Sequence, residues 1–86
     1  MTEQELKDFF KQSFDALEKF RLMFPVEWRN NMNGDIIHKY YTCVEVFPKI
    51  DTFTDIELLR ALVLHINDTL LWAREVTRTA MDDSSG

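Results

Sequence analysis

The sequence predicts an all-α protein, a small bundle of three or four helices around a long C-terminal helix, with self-association expected. Three observations predict it. The stretch Thr54–Ala80 contains no proline or glycine. Within it Leu59, Leu62, Val63, Ile66, Leu70, Ala73 and Val76 recur at steps of three and four, which places them on one helical face. An earlier segment repeats the pattern with Leu6, Phe9, Phe10, Phe14, Leu17 and Phe20, and no pair of alternating segments separated by a hairpin turn is evident.

In chain order, Thr2 and Glu5 form a capping box that opens helix 1 over about residues 3–23. Lys7, Lys11, Asp15, Glu18 and Lys19 fall mostly opposite its apolar stripe. Phe24-Pro25 ends it, because a residue before proline is pushed out of the helical region. Pro25 suits the first position of a short new helical segment, Val26 to Met32, with Glu27 near its positive end. Asn30, Asn31, Asn33 and Gly34 stop that segment, with Gly34 expected as a left-handed cap. Asp35 is then the expected cap of a helix over residues 36–47. The run YYTCVEVF would also suit a strand, and helix is preferred because no partner strand is found. Pro48 ends this element, and Lys49–Phe53 connects to the long helix. Thr54 with Glu57 is read as a second capping box. Leu58, Ala61, Leu64, Leu71 and Trp72 lie off the main face of that helix, so it must be covered on more than one side. The expected organisation is one domain over residues 1–80, followed by a disordered polar tail over residues 81–86.

Composition bounds the function. The 86 residues are 45% hydrophobic with seven phenylalanines and two tryptophans, a globular rather than disordered balance. A domain this small buries roughly 60% of its unfolded surface, so association with further copies is expected to complete its core. The net charge is −5 and no basic stripe is present, which argues against duplex nucleic acid as a partner. Residues 1–10 carry acids where a secretory signal carries Lys and Arg. The longest uncharged apolar run, Ala61–Ile66, is far short of a membrane span. A cytoplasmic protein with no membrane partner is expected.

Catalytic and cofactor signatures are lacking. Cys43, His38 and His65 have no metal-ligand spacing. Two glycines cannot build a phosphate-cradling loop. The carboxylate pairs Asp55/Glu57 and Asp82/Asp83 sit at a helix start and in the tail. A non-enzyme without cofactors is expected. Arg60, embedded in LLRALVL, has two open readings: a partly exposed or salt-bridged residue, with Asp35 or Glu45 as partner, or a ligand to an anion. Arg74 and Arg78 are i, i+4 neighbours, either a solvated face with Glu75 and Asp82 or a grip on a phosphate. Trp28-Arg29 and Lys39-Tyr40-Tyr41 place rings beside cations, which suits core packing or base stacking with phosphate neutralisation. Asn67, Asp68 and Thr69 form a polar notch in the long helix, either exposed or at a seam between subunits.

The segment Ile66-Asn67-Asp68-Thr69-Leu70-Leu71-Trp72-Ala73, followed by the basic residues Arg74 and Arg78, resembles a helix signature of the phage anti-CBASS sponge proteins. Asp55 and Glu57 stand near that family's polar helix start, and Arg60 is the one candidate for its helix-start arginine. Helix 1 departs from the pattern in having phenylalanines and no tyrosine. The resemblance implies a small helical homo-oligomer, a hexamer in that family, that sequesters cyclic di- and trinucleotide second messengers without cleaving them. It also implies pockets between subunits, with an aromatic on each base and Lys or Arg on the phosphates. On this chain the phosphate ligands would come from Arg60, Lys39, Arg74 and Arg78, and the stacking rings from Trp28, Tyr40 and Phe10. The second reading, from size, acidity and the lack of catalytic groups, is a helical protein that binds and inhibits a host protein such as an enzyme or transcription factor.

Overall fold

A computed structural model describes the backbone of residues 1–85 and the side chains of residues 1–80. Helix α1 spans Glu3–Met23, α2 Pro25–Asn31, α3 Gly34–Val46 and α4 Ile56–Ser85, with a 3-10 helix over Phe47–Thr52 between α3 and α4. No strand occurs among the described residues. At 1.5 Å per residue α4 is about 45 Å long, which sets the 47 Å long dimension of the molecule. Helices α1, α2 and α3 all pack against α4. Residues 81–86, expected to be a polar tail, lie largely outside the described residues: only the backbone of 81–85 is described, as the end of α4.

Helix α1 starts as its capping box dictates. The Glu5 amide donates to Thr2 Oγ1 at 3.2 Å, and the Thr2 amide donates to Glu5 Oε1 at 3.1 Å. It ends at Phe24, and Pro25 opens α2.

The later caps differ from the sequence expectation. Asn33, not Asp35, caps α3: its Oδ1 accepts from the Ile36 amide at 3.0 Å. Gly34 is the first helical residue and has no positive φ, so it is not a left-handed cap. At the start of α4, Asp55 rather than Thr54 takes the cap, its Oδ1 accepting from the amides of Glu57 and Leu58. Both corrections have one cause. The acceptor must stand two or three residues before the free amides it serves, and the chain enters α3 two positions earlier and α4 one position later than expected.

The core follows the periodicity. Leu6, Phe10, Leu17 and Phe20 of α1 meet Leu59, Leu62, Ile66, Ala73 and Val76 of α4, closed at one end by Ile50 and on the α3 side by Cys43. Phe14 stacks on Phe47 with centroids 4.4 Å apart, so the α3 end is pinned by an aromatic pair. Lys7, expected on the polar face, is buried; its ammonium donates to the Asp51 carbonyl at 3.1 Å. The polar notch resolves into separate roles. Thr69 is buried and donates to the His65 carbonyl, Asp68 reaches Lys39 on α3, and Asn67 is exposed.

Candidate functional site: an aromatic and arginine pocket

The turn at Phe24-Pro25 sets α2 so that its Trp28 ring meets α3 and α4. Trp28 lies edge-on to Tyr40 at 4.9 Å and to Trp72 at 5.2 Å, and Phe20 packs on Trp28 at 5.8 Å. The Trp72 indole N–H donates to the Asn31 carbonyl at 3.2 Å, which satisfies an open carbonyl at the end of α2 and ties that helix to α4. Of these rings Trp28 and Tyr40 line a pocket of about 540 Å³, within the range of ligand sites. Trp28, Tyr40, Tyr41, Arg21 and Arg29 supply its chemistry, and Pro25, Met32 and Ile37 its apolar rim.

The two arginines differ. Glu18 holds Arg21 with both nitrogens on one oxygen: Nε at 2.8 Å and a terminal nitrogen at 2.6 Å from Oε2. Its other oxygen accepts from the Tyr40 hydroxyl at 2.7 Å. That pairing raises the Arg21 pKa, first through the hydrogen bond to Glu18. Burial, reinforced by the hydrogen bond to Glu18, pushes the Tyr40 phenol up to about 12. Tyr40 is therefore a neutral donor across the ordinary pH range and is locked in place. Arg29 is exposed and makes no ion pair among the described residues. Tyr41 is 62% exposed, next to Tyr40 at 5.4 Å, and presents a free ring. The pocket thus combines a hydrogen-bonded wall with one exposed cation and one open aromatic face. A planar ring can stack on Tyr41 while an attached phosphate meets Arg29.

Of the residues singled out in the sequence, Trp28, Arg29, Tyr40 and Tyr41 come together here, and Phe10, Lys39, Arg60, Arg74 and Arg78 lie elsewhere. Phe10 is fully buried beside Phe14, so it cannot stack on a ligand. Lys39 is held between Asp35 and Asp68, both at 3.1 Å. Its pKa is raised, first by the hydrogen bond to Asp35, and its charge is already met by carboxylates. Arg60 is not embedded: its side chain is exposed and reaches Glu57, rather than Asp35 or Glu45, at 3.5 Å. Arg74 and Arg78 flank a separate groove between α1 and α4. Sequence reading missed Arg21, whose place beside Tyr40 depends on the reversal at Pro25. It noted Arg29 only as a neighbour of Trp28.

Cys43 is fully buried, and burial pushes its thiol up to about 11. No group of three or more His, Cys, Asp and Glu that could hold a metal occurs among the described residues. Comparison with known protein families, characterised proteins and solved structures finds no match to this chain.

Proposed function

We propose that this protein is a non-enzymatic binder of a phosphorylated aromatic ligand, and that the ligand class is the cyclic di- and trinucleotides suggested by its resemblance to the sponge proteins. The observation that carries the reading is the pairing of Arg29, which makes no ion pair among the described residues, with the open Tyr41 face in one pocket. Supporting it, the Glu18–Arg21–Tyr40 network holds the pocket wall rigid before any ligand arrives, which lowers the ordering cost of binding. A cyclic dinucleotide has two bases, and one chain offers one open ring. The proposal therefore includes a second subunit facing the first, as in a homo-oligomer, so that each copy contributes one stack.

Titration of tryptophan fluorescence with cyclic di- and trinucleotides tests this, because Trp28 lines the pocket. Arg29→Ser and Tyr41→Ala change exposed side chains and should leave the fold intact. Each is expected to weaken binding by about tenfold or more, the worth of a charged hydrogen bond or of one base stack. Undiminished binding in both variants would remove the site assignment. No binding by the parent protein would remove the ligand class and favour the second reading, inhibition of a host protein. One observation favours that reading independently. Leu64 and Leu71, 63% and 49% exposed, stand on the side of α4 turned away from the core, together with the exposed Ala61.

A further inference from the structure

The groove between α1 and α4 is chemically unlike the aromatic pocket. Its volume is about 600 Å³. Phe20, Phe24, Leu70 and Ala73 form its floor. Ala16 leaves room on the α1 side where a longer side chain would fill the space. From Ala16 to Phe24 the groove runs about 12 Å along α1, enough for a medium-length alkyl chain. Three cations stand along this apolar strip: Lys19 from α1, Arg74 and Arg78 from α4. Lys19 has a partner in Asp15 at 3.3 Å. Arg74 and Arg78 are exposed and make no ion pair among the described residues. In a chain of net charge −5, two exposed guanidiniums one turn apart beside an apolar trough are a local reversal of sign.

We propose that this groove binds a single-chain anionic amphiphile of the fatty-acid class, with the alkyl chain along Phe20, Leu70 and Ala73 and the carboxylate held by Arg74 and Arg78. Each guanidinium can give a carboxylate two parallel hydrogen bonds, a geometry that a lysine lacks. The charge pattern speaks against a second copy docking symmetrically through the same groove, because Lys19, Arg74 and Arg78 would then face their own duplicates. It speaks against a nucleotide as well, since the Phe20 ring in the floor is buried and already packed against Phe24, Trp28 and Trp72. This inference does not depend on the aromatic pocket, which lies on the α2–α3 side and uses other residues.

The test uses the full chain and dansyl-undecanoic acid, a fluorescent fatty-acid analogue, displaced by dodecanoate below its micelle concentration. Blue-shifted emission on adding protein, reversed by dodecanoate but not by dodecyltrimethylammonium, is the expected result. The double variant Arg74→Ser/Arg78→Ser should weaken the probe about tenfold or more, and Arg74→Lys/Arg78→Lys should restore part of the loss. Ala16→Leu, at an exposed position, should block the groove without touching either arginine. Thermal melting of every variant confirms that it folds. Equal binding of the cationic amphiphile, or unchanged binding in both the serine and the Ala16→Leu variants, overturns the proposal. A membrane-surface source is separated by sedimentation with phosphatidylglycerol vesicles. Association with vesicles in the absence of any binding to the monomeric probe also overturns it.

Discussion

Replacing Tyr40 by phenylalanine isolates one hydroxyl at the wall of the aromatic pocket. The ring contacts with Trp28 and Tyr41 persist, and only the hydrogen bond to Glu18 is lost. Glu18 keeps its two hydrogen bonds from Arg21, so no carboxylate is stranded. The cost at neutral pH is that of one hydrogen bond to a charged acceptor, about 1.5 kcal/mol, or about 6–12 °C in melting temperature for a domain of this size. The pH dependence follows from the phenol pKa, raised from 10 to about 12 by burial and by Glu18. A raised folded-state pKa means that the native protein holds this proton more tightly than the unfolded chain does. The stabilisation is complete below pH 10 and is lost as pH rises through 10 to 12. The ceiling for such a shift is about 2.7 kcal/mol. Solvent screening at this partly exposed ring brings it to about 1–1.5 kcal/mol. Denaturant unfolding of both proteins at neutral and at strongly alkaline pH, with tyrosinate absorbance as a second readout, measures it. The parent should show a titration step near 12 that the variant lacks, and its stability advantage over Tyr40→Phe should shrink across that range. Identical absorbance titrations, or a variant as stable as the parent at neutral pH, would refute the reasoning.

Other outcomes follow from the same structure. Asp55→Ala should cost about 1 kcal/mol by uncapping α4, whereas Thr54→Ala, at an exposed site with no side-chain hydrogen bond among the described residues, should fall within about 0.5 kcal/mol of the parent; chemical denaturation of the pair measures both. Ile66→Ala, at a fully buried position, should cost about 2–5 kcal/mol through the cavity it leaves, read as a drop in denaturation midpoint at constant slope. The Cys43 thiol should resist a disulfide-exchange reagent in the native protein and react promptly in denaturant, since burial both hides it and keeps it protonated; fast native reaction would contradict its placement in the core. Leu64→Glu should leave the melting temperature of the isolated chain within about 2–4 °C of the parent, because the side chain faces solvent.

Helix α1 was legible almost completely, because its capping box and the Phe24-Pro25 stop are local chemistry. The α4 stripe was legible for the same reason: burial of Leu59, Leu62, Ile66, Ala73 and Val76 follows from a period set by the backbone. Residues 34–46 are helical although their β-branched and aromatic side chains suit a strand, since packing on α4 overrides local propensity. Periodicity could not separate Phe10 from a ligand-facing ring, because core and site residues share a helix face. The pair Lys39–Asp35 is an i, i+4 relation readable in the sequence. The bond from Lys39 to Asp68 joins different helices and is not. Arg21 meets Tyr40 through Glu18 only after the chain reverses at Pro25, so no spacing rule pointed to it. The exposure of Arg60 follows from its angle on the helix, since the apolar neighbours Leu58 and Ala61 are themselves exposed.

The pocket holding Arg29 and Tyr41 is proposed to take a cyclic nucleotide. Thermal melting of the purified protein against a panel of cyclic di- and trinucleotides, with light scattering for mass, tests it most directly. At about 100-fold its dissociation constant a ligand should add roughly 2.7 kcal/mol, a rise on the order of 10 °C. Such a rise is expected with at least one cyclic nucleotide, on a particle larger than one chain, and its loss is expected in Arg29→Ser. An unchanged melting temperature across the whole panel, or a shift that Arg29→Ser retains in full, would contradict it.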